Sequence, residues 1–246
     1  MTVPSPVVRR AAAPSVHRFA ALVGLAVLGS SALAGCVPQP PQLSEVWPQV
    51  RQSVAEATSV RISGDVRQKG ATIDVELAGA LDDSSYAGRL VEQHGTVEVI
   101  GAGGTTYIRP DRAFVDSRGG STFKEVDPDL WIPLPSGRDG SFSMSTFYDG
   151  FTSSLPEADA FDGQAPQSQT LRLDGEQVFK YSDVHAGDAP VSLYINQDDE
   201  LVRLEVEDPA GEAEDGPSGT IDFRDWNEVP AAEAPPEDQV YARPGL

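Results

Sequence analysis

An α+β domain, with one antiparallel sheet packed on a few amphipathic helices, is the fold class this sequence predicts, and three patterns carry that reading. Apolar residues recur at every second position in short segments, separated by Gly- and Asp-containing turns, through most of residues 60–226. Polar partners such as Asp74, Glu76, Arg89 and Glu98 fill the alternate positions. Each strand therefore shows one face to water and one to a core, as in an antiparallel meander and unlike a parallel α/β sheet. Only two stretches, 44–58 and 141–155, switch to three- and four-residue spacing.

The chain opens with a segment of another kind. Arg9, Arg10 and Arg18 accompany an apolar run over 19–33, interrupted only by small residues. A membrane-spanning helix needs about 20 apolar residues and the hydrophobic part of an export signal about 7–15, so residues 1–35 read as a processed signal peptide. The run ends in Leu33-Ala34-Gly35-Cys36, which closely resembles the lipobox of bacterial lipoproteins. There the cysteine sulfur receives a diacylglyceryl group, the chain is cut between the residues corresponding to Gly35 and Cys36, and the cysteine becomes the amino terminus. The alternative is a plain secretory cut that leaves Cys36 an ordinary small buried residue. Arg9-Arg10 also raises a twin-arginine route, to which the following Ala11-Ala12-Ala13-Pro14 lends little support. Cys36 is the single cysteine, so its lipidation leaves no disulfide and stability must come from packing.

Residues 36–43 then read as the lipidated N-terminus and a tether, since 37–42 is rich in Pro and Gln and has nothing to bury. Trp47, Val50, Val54 and Ala57 mark the first helix, with a start near Pro48, a residue tolerated in a first turn. Strands are expected at 60–66, 73–77, 86–93, 96–100 and 105–109. Around Trp131 the run Asp127-Pro128, Pro133, Pro135 and Gly137 breaks regular structure and leaves a loop with one anchoring aromatic. Phe147, Phe151 and Leu155, with Met144 and Tyr148 beside them, give the second helix an aromatic and methionine face that Pro156 ends. Asp174-Gly175 turns a strand at 170–173 into one at 177–184, and Gln197 to Glu200 joins 191–195 to 201–206. Residues 205–219 read as an acidic loop, 220–226 as the last strand, and 230–246 as a disordered, acidic, Pro/Ala-rich tail. The folded domain is thus expected over 44–229.

Removing residues 1–35 takes three arginines and no acid from 18 basic and 38 acidic residues, leaving 15 against 38 and a formal charge of −23. That sign excludes nucleic acid as an expected partner and disfavours anionic lipid surfaces. No polybasic patch supplements the anchor, so two acyl chains on Cys36 would have to hold the protein at the cell membrane, on its extracytoplasmic face. The excess of arginine over lysine, with abundant Ala, Gly, Pro and Asp, hints at a GC-rich bacterial source.

Reactive chemistry is sparse. Ser121-Thr122-Phe123-Lys124 matches S-x-x-K of penicillin-interacting enzymes, but it sits among strand and turn signals with neither S-D-N nor K-T-G downstream. The glycines of 101–104 precede a strand, whereas a phosphate loop needs a following helix, so they read as a hairpin turn. His94 and His185 lack the spacing of a zinc site, and the acidic run 208–215 lacks that of a calcium loop. The sequence therefore predicts no catalytic residue, no metal, no cofactor and no enzyme.

What remains is an apolar surface made of Val50 and Val54 from the first helix and Met144, Phe147, Phe151 and Leu155 from the second, facing a one-layer sheet. Such a surface either packs completely, as amphipathic stripes usually do, or leaves a cavity able to hold an acyl chain.

The order of features resembles the actinobacterial LppX/LprG-type lipoproteins, relatives of the LolA and LolB lipoprotein carriers. The resemblance covers most of 44–228. It is carried by Thr58-Ser59-Val60-Arg61-Ile62-Ser63-Gly64, by Val97-Glu98-Val99-Ile100 with Thr106-Tyr107-Ile108-Arg109, by Leu130-Trp131-Ile132-Pro133, and by Val191-Ser192-Leu193-Tyr194-Ile195 with Leu201-Val202-Arg203-Leu204. It implies a LolA-like fold, a single strongly curved antiparallel sheet wrapped like half a barrel around helices, with a hydrophobic cavity that carries a lipid or lipoglycan across the cell envelope. The expected partners are the diacylglyceryl anchor on Cys36 and such a ligand. The alternative is an envelope sensor or scaffold lipoprotein with a packed core and a protein partner. Departures from the pattern are a short middle helical region, the acidic loop at 205–219, and the lack of a basic cluster for an anionic headgroup.

Overall fold

Helix α1 (Leu43–Glu56) forms because Leu43, Val46, Trp47, Val50 and Val54 fall on one face, and all five are buried. It starts earlier than Pro48 suggested. Burial of Leu43 and Val46 extends the helix upstream, and Pro48 sits inside it, exposed, forgoing one backbone hydrogen bond. The computed structural model describes residues 38–68, 70–118, 127–134, 143–153, 155–186, 189–206 and 218–242. All of them belong to one unit, Val37–Leu246.

Beyond α1 run β1 (Ser59–Gln68), β2 (Ala71–Ala80), β3 (Ser85–Glu92), β4 (Gly95–Ala102) and β5 (Thr105–Pro110). Helix α2 (Arg112–Arg118) and the two-residue β6 (Ile132–Pro133) follow, then α3 (Met144–Thr152). The second half comprises β7 (Gln167–Leu173), β8 (Glu176–Ala186), β9 (Ala189–Asn196), β10 (Leu201–Val206) and β11 (Ser218–Arg224). Among the described residues these make one sheet of 11 strands in the order β6-β5-β4-β3-β2-β1-β11-β10-β9-β8-β7. Neighbouring strands within it pair antiparallel throughout. Two meanders thus meet at a β1/β11 seam, and β6 and β7 end the sheet without pairing to each other. This is the open antiparallel sheet over helices that the resemblance to LolA-like carriers implied.

Register places the core on one face. Val60, Ile62, Val75, Leu77, Tyr86, Val97, Val99, Ile108 and Phe223 lie buried at alternating positions and share one apolar cluster with α1 and α3. Close approach of neighbouring strands demands glycine at the seam. A Cβ on Gly64 would run into the carbonyl of Thr220 on β11. On the same face, Gly101 leaves room for the ring of Tyr86, whose hydroxyl bonds the Thr106 hydroxyl at 3.0 Å.

Three segments depart from the sequence reading. Helix α2 occupies a stretch in which no element was expected; the Asp111 carboxylate accepts from Phe114 N (2.7 Å) at its start and from Thr96 N (2.9 Å). Residues Pro38 to Gln42 do not hang loose as a tether with nothing to bury. Thr170 Oγ1 donates to the Pro38 carbonyl at 2.6 Å and Tyr181 Oη to that of Pro41 at 3.0 Å. The C-terminal stretch is not disordered through residue 242 either. Ala232 N donates to Ser85 Oγ (2.6 Å), Trp131 N to the Gln239 carbonyl (2.8 Å) and Tyr241 N to the Trp131 carbonyl (2.8 Å). The chain after β11 therefore crosses from the seam to the β6 end and covers backbone groups of that edge. Trp131, the expected anchoring aromatic, is buried there beneath the guanidinium of Arg109, 4.6 Å from the ring centroid.

Candidate ligand-binding trough

The curved sheet presents its apolar face to α1 and α3, and these helices are stitched to each other as well as to the sheet. Ser143 caps α3, its hydroxyl accepting from Thr146 N at 3.1 Å. Asp83, in the β2/β3 turn, accepts from Ser143 Oγ (2.7 Å), Ser145 N (2.9 Å) and Ser145 Oγ (2.5 Å), placing a carboxylate at the helix N-terminus. At the other end Arg51 of α1 donates to the Thr152 carbonyl at 3.2 Å. Between them Tyr148 Oη donates to the Val54 carbonyl at 2.6 Å, satisfying one of the orphan carbonyls of the last turn of α1. Burial pushes the Tyr148 phenol well above its ordinary value, which keeps that donor protonated.

An aromatic seam continues from α3 into the sheet. Tyr148 lies 6.1 Å from Phe151, Phe151 4.5 Å from Phe223 on β11, and Phe223 5.6 Å from Trp226. Trp226 Nε1 donates to the Leu201 carbonyl at 3.0 Å. On the far side Trp47, fully buried, donates to the carbonyls of Pro156 (3.2 Å) and Glu157 (3.0 Å) and meets Phe161 edge-on at 5.4 Å.

The sequence-predicted pocket residues come together. Val50, Val54, Met144, Phe151 and Leu155 are buried in the one cluster, and Phe147 is half-buried against it. They line packed core, and Val54 also borders a surface groove. That groove, about 430 Å³, lies beside Ser53, Glu56, Glu200, Leu201, Trp226 and Asn227. A larger groove of about 590 Å³ opens where the β7/β8 and β9/β10 turns meet the end of β11, and Asp174, Glu176, Asp198, Glu200 and Asp225 make it acidic. Phe161, Trp226 and Tyr181 complete the core around the trough without being singled out from sequence as part of it. Phe161 stands alone in the polar run Glu157 to Gln164, where no periodicity marks it. Cys36, Gly35 and the Ser121 to Lys124 tetrad lie outside the described residues.

The opposite face of the sheet is a lattice of charge pairs. Arg61 with Asp225 (2.7 Å), Arg89 with Glu76 (2.7 Å) and Arg109 with Glu98 (2.5 Å) bridge neighbouring elements. Farther along, Arg203 binds Asp222 (2.5 Å), while Lys180 and Tyr194 both reach Glu205 (3.3 and 2.7 Å). Burial alone would lower the Lys180 ammonium; its hydrogen bonds with Tyr194 and Glu205 outweigh that and raise it. These cations are engaged with the chain's own carboxylates and do not converge on the trough. Among the described residues no group of three or more His, Cys, Asp or Glu is placed to hold a metal ion, and no helix is long and apolar enough to cross a membrane.

No family profile and no curated protein matches the sequence. Solved structures do resemble it. They include LprF from Mycobacterium bovis, with 12% identity over 79% of this chain and 98% of that one at a TM-score of 0.48. Another is the lipoprotein LppX of Mycobacterium tuberculosis, with 16% identity over 78% of this chain and 98% of that one at 0.44. A MucA/MucB complex structure from Pseudomonas aeruginosa matches 81% of this chain and 60% of the other, with 13% identity and a TM-score of 0.31. The similarity is one of chain path.

Proposed function

We propose that this chain is a non-enzymatic lipoprotein, exported and held by a diacylglyceryl group on Cys36 at the outer face of the cell membrane, that binds or transfers a hydrophobic lipid or lipoglycan between its sheet and helices. One observation carries the binding part. The sheet ends at β6 and β7 without closing, so the apolar trough is shut by α1 and α3 and not by strands. Helix α3 has nine residues, too few to stand alone in water, and it holds its place through Asp83, Arg51 and Tyr148. Lifting it would expose Phe151, Met144 and Leu155 to an acyl chain. The lattice of internally paired arginines favours a ligand recognised by its apolar part.

The test is mass spectrometry of lipid extracted from the purified soluble domain. A reproducible acyl lipid in stoichiometric amount supports transfer. An empty domain, with no photo-crosslinking of an acyl probe to α3 or β11, would sink it. The filled trough favours a second reading, an envelope sensor or scaffold whose packed core binds no ligand and whose partner is a protein. The anchor is tested separately: Cys36→Ala should release the protein from membranes with the fold unchanged, and firm membrane attachment of that variant contradicts the lipidation.

A further inference from the structure

Where the anchor leaves the domain follows from two hydrogen bonds. Pro38 is held by Thr170 of β7 (2.6 Å) and Pro41 by Tyr181 of β8 (3.0 Å), immediately before α1 begins at Leu43. Cys36 precedes Pro38 by two residues, which covalent geometry converts to at most about 7 Å. The acyl chains therefore have no long spacer through which the domain could stand away from the bilayer. Burial pushes the Tyr181 phenol up to about 12, so it remains a donor to Pro41 throughout the physiological range.

The strand beside that exit is an end of the sheet, with β8 on one side and no strand on the other among the described residues. It is poor in acid for so acidic a chain. Residues 164–173 contain one arginine, Arg172, and no acid, in a protein with 38 acidic residues. Gln167, Ser168, Gln169 and Arg172 are exposed. Of the flanking carboxylates, Asp183 accepts from Gln167 Nε2 at 2.7 Å and Asp174 is paired with Arg224, while Asp162 before the strand and Glu176 in the β7/β8 turn are exposed. A bilayer bearing anionic headgroups repels a body of formal charge −23, and that repulsion decays over about 8 Å at physiological salt. A low-energy orientation puts an acid-poor surface within that distance, and the short link from Cys36 to Pro38 on Thr170 selects the one on β7.

We propose that the free edge of β7 is the surface this protein lays on the lipid headgroups, with the Pro38 contact on Thr170 holding the lipidated N-terminus beside it. The inference rests on lipidation of Cys36. It makes the first residues of the mature chain an orienting clamp, and it directs the opposite edge, with β6 and the C-terminal crossing, away from the membrane.

Acylated Cys36 leaves no other thiol, so Gln169→Cys and, separately, Asp238→Cys can each carry a single fluorophore on the full lipidated protein. In vesicles of phosphatidylcholine with phosphatidylglycerol, a quencher attached to the headgroups should quench the label at 169 several-fold more than the label at 238. Adding Thr170→Ala with Tyr181→Phe should bring the two labels together while flotation with vesicles is unchanged. Equal quenching in acylated protein without those changes overturns the inference and leaves lipidation standing. A mature chain whose mass shows no acyl group on Cys36 overturns both.

Discussion

Replacing Tyr148 with Phe isolates the bond that ties α3 to α1. The ring keeps its place against Phe151 and Trp226, at 6.1 and 6.4 Å, so the change removes one hydroxyl and almost no packing. The hydroxyl donates to the Val54 carbonyl at 2.6 Å within the buried cluster. Leaving a buried acceptor without a partner costs about 1–3 kcal/mol. Val54 keeps a longer second bond from Ala57 N at 3.4 Å, which puts the expected loss at about 1–2 kcal/mol. With a urea slope of about 2 kcal/mol per molar, the unfolding midpoint of the chain lacking residues 1–36 should fall by about 0.5–1 M. Trp47 and Trp226, on the two sides of the trough, provide the fluorescence signal. If α3 also has to lift for a ligand to enter, the same variant should exchange a fluorescent fatty acid faster than the wild type. An unchanged midpoint, with a change in slope also absent, would refute the assignment of Tyr148 as the tie between the helices.

Three further outcomes follow from the same geometry. Gly101→Ala drives a methyl into the Tyr86 ring, an overpacking expected to cost about 1–3 kcal/mol in thermal or urea unfolding, and wild-type stability would show that β4 can shift to accept it. Deleting residues 231–246 should expose the indole of Trp131 to acrylamide quenching and lower stability by about 1–3 kcal/mol, whereas a stretch without structural contacts would leave both untouched. Stability should hold below pH 10 and fall as pH rises toward 12. Tyr181 titrates near 12 in the folded chain and near 10 when unfolded, so above pH 10 the unfolded state binds fewer protons and is favoured. A Tyr148→Phe, Tyr181→Phe chain should lose less stability over that range.

Local pattern carried a large part of the architecture. The two-residue alternation in β2 and β4 and the Asp174-Gly175 turn are each read within a window of about ten residues, and each stands in the structure where that reading put it; α3 also forms, but it ends at Thr152, short of the expected Leu155. These features depend on one face of a local element being apolar, a property written along the chain. That the six candidate residues would gather against one sheet was legible for the same reason, since an apolar stripe must be covered.

Non-local partners decided the rest. Pro38 to Gln42 has the composition of a tether, yet its carbonyls meet donors on β7 and β8 that lie about 130–140 residues away, and no local pattern encodes that meeting. Residues 230–242 are rich in Ala, Pro and acid, as a disordered tail would be, and are nevertheless placed by hydrogen bonds to Trp131 and Ser85. Helix α1 begins at Leu43 because the trough buries Leu43 and Val46, which outweighs the proline inside it. The sequence by itself determined an acidic, sheet-and-helix chain with a single cysteine at a lipobox-like site. Only the tertiary structure decided that the trough is filled by Tyr148, Phe151 and Phe223, and that residues 38–41 and 239–241 are bound at opposite sides of one sheet. Filling a trough and covering an edge depend on which distant residues come to lie within about 4 Å of one another, and that is set by the fold as a whole.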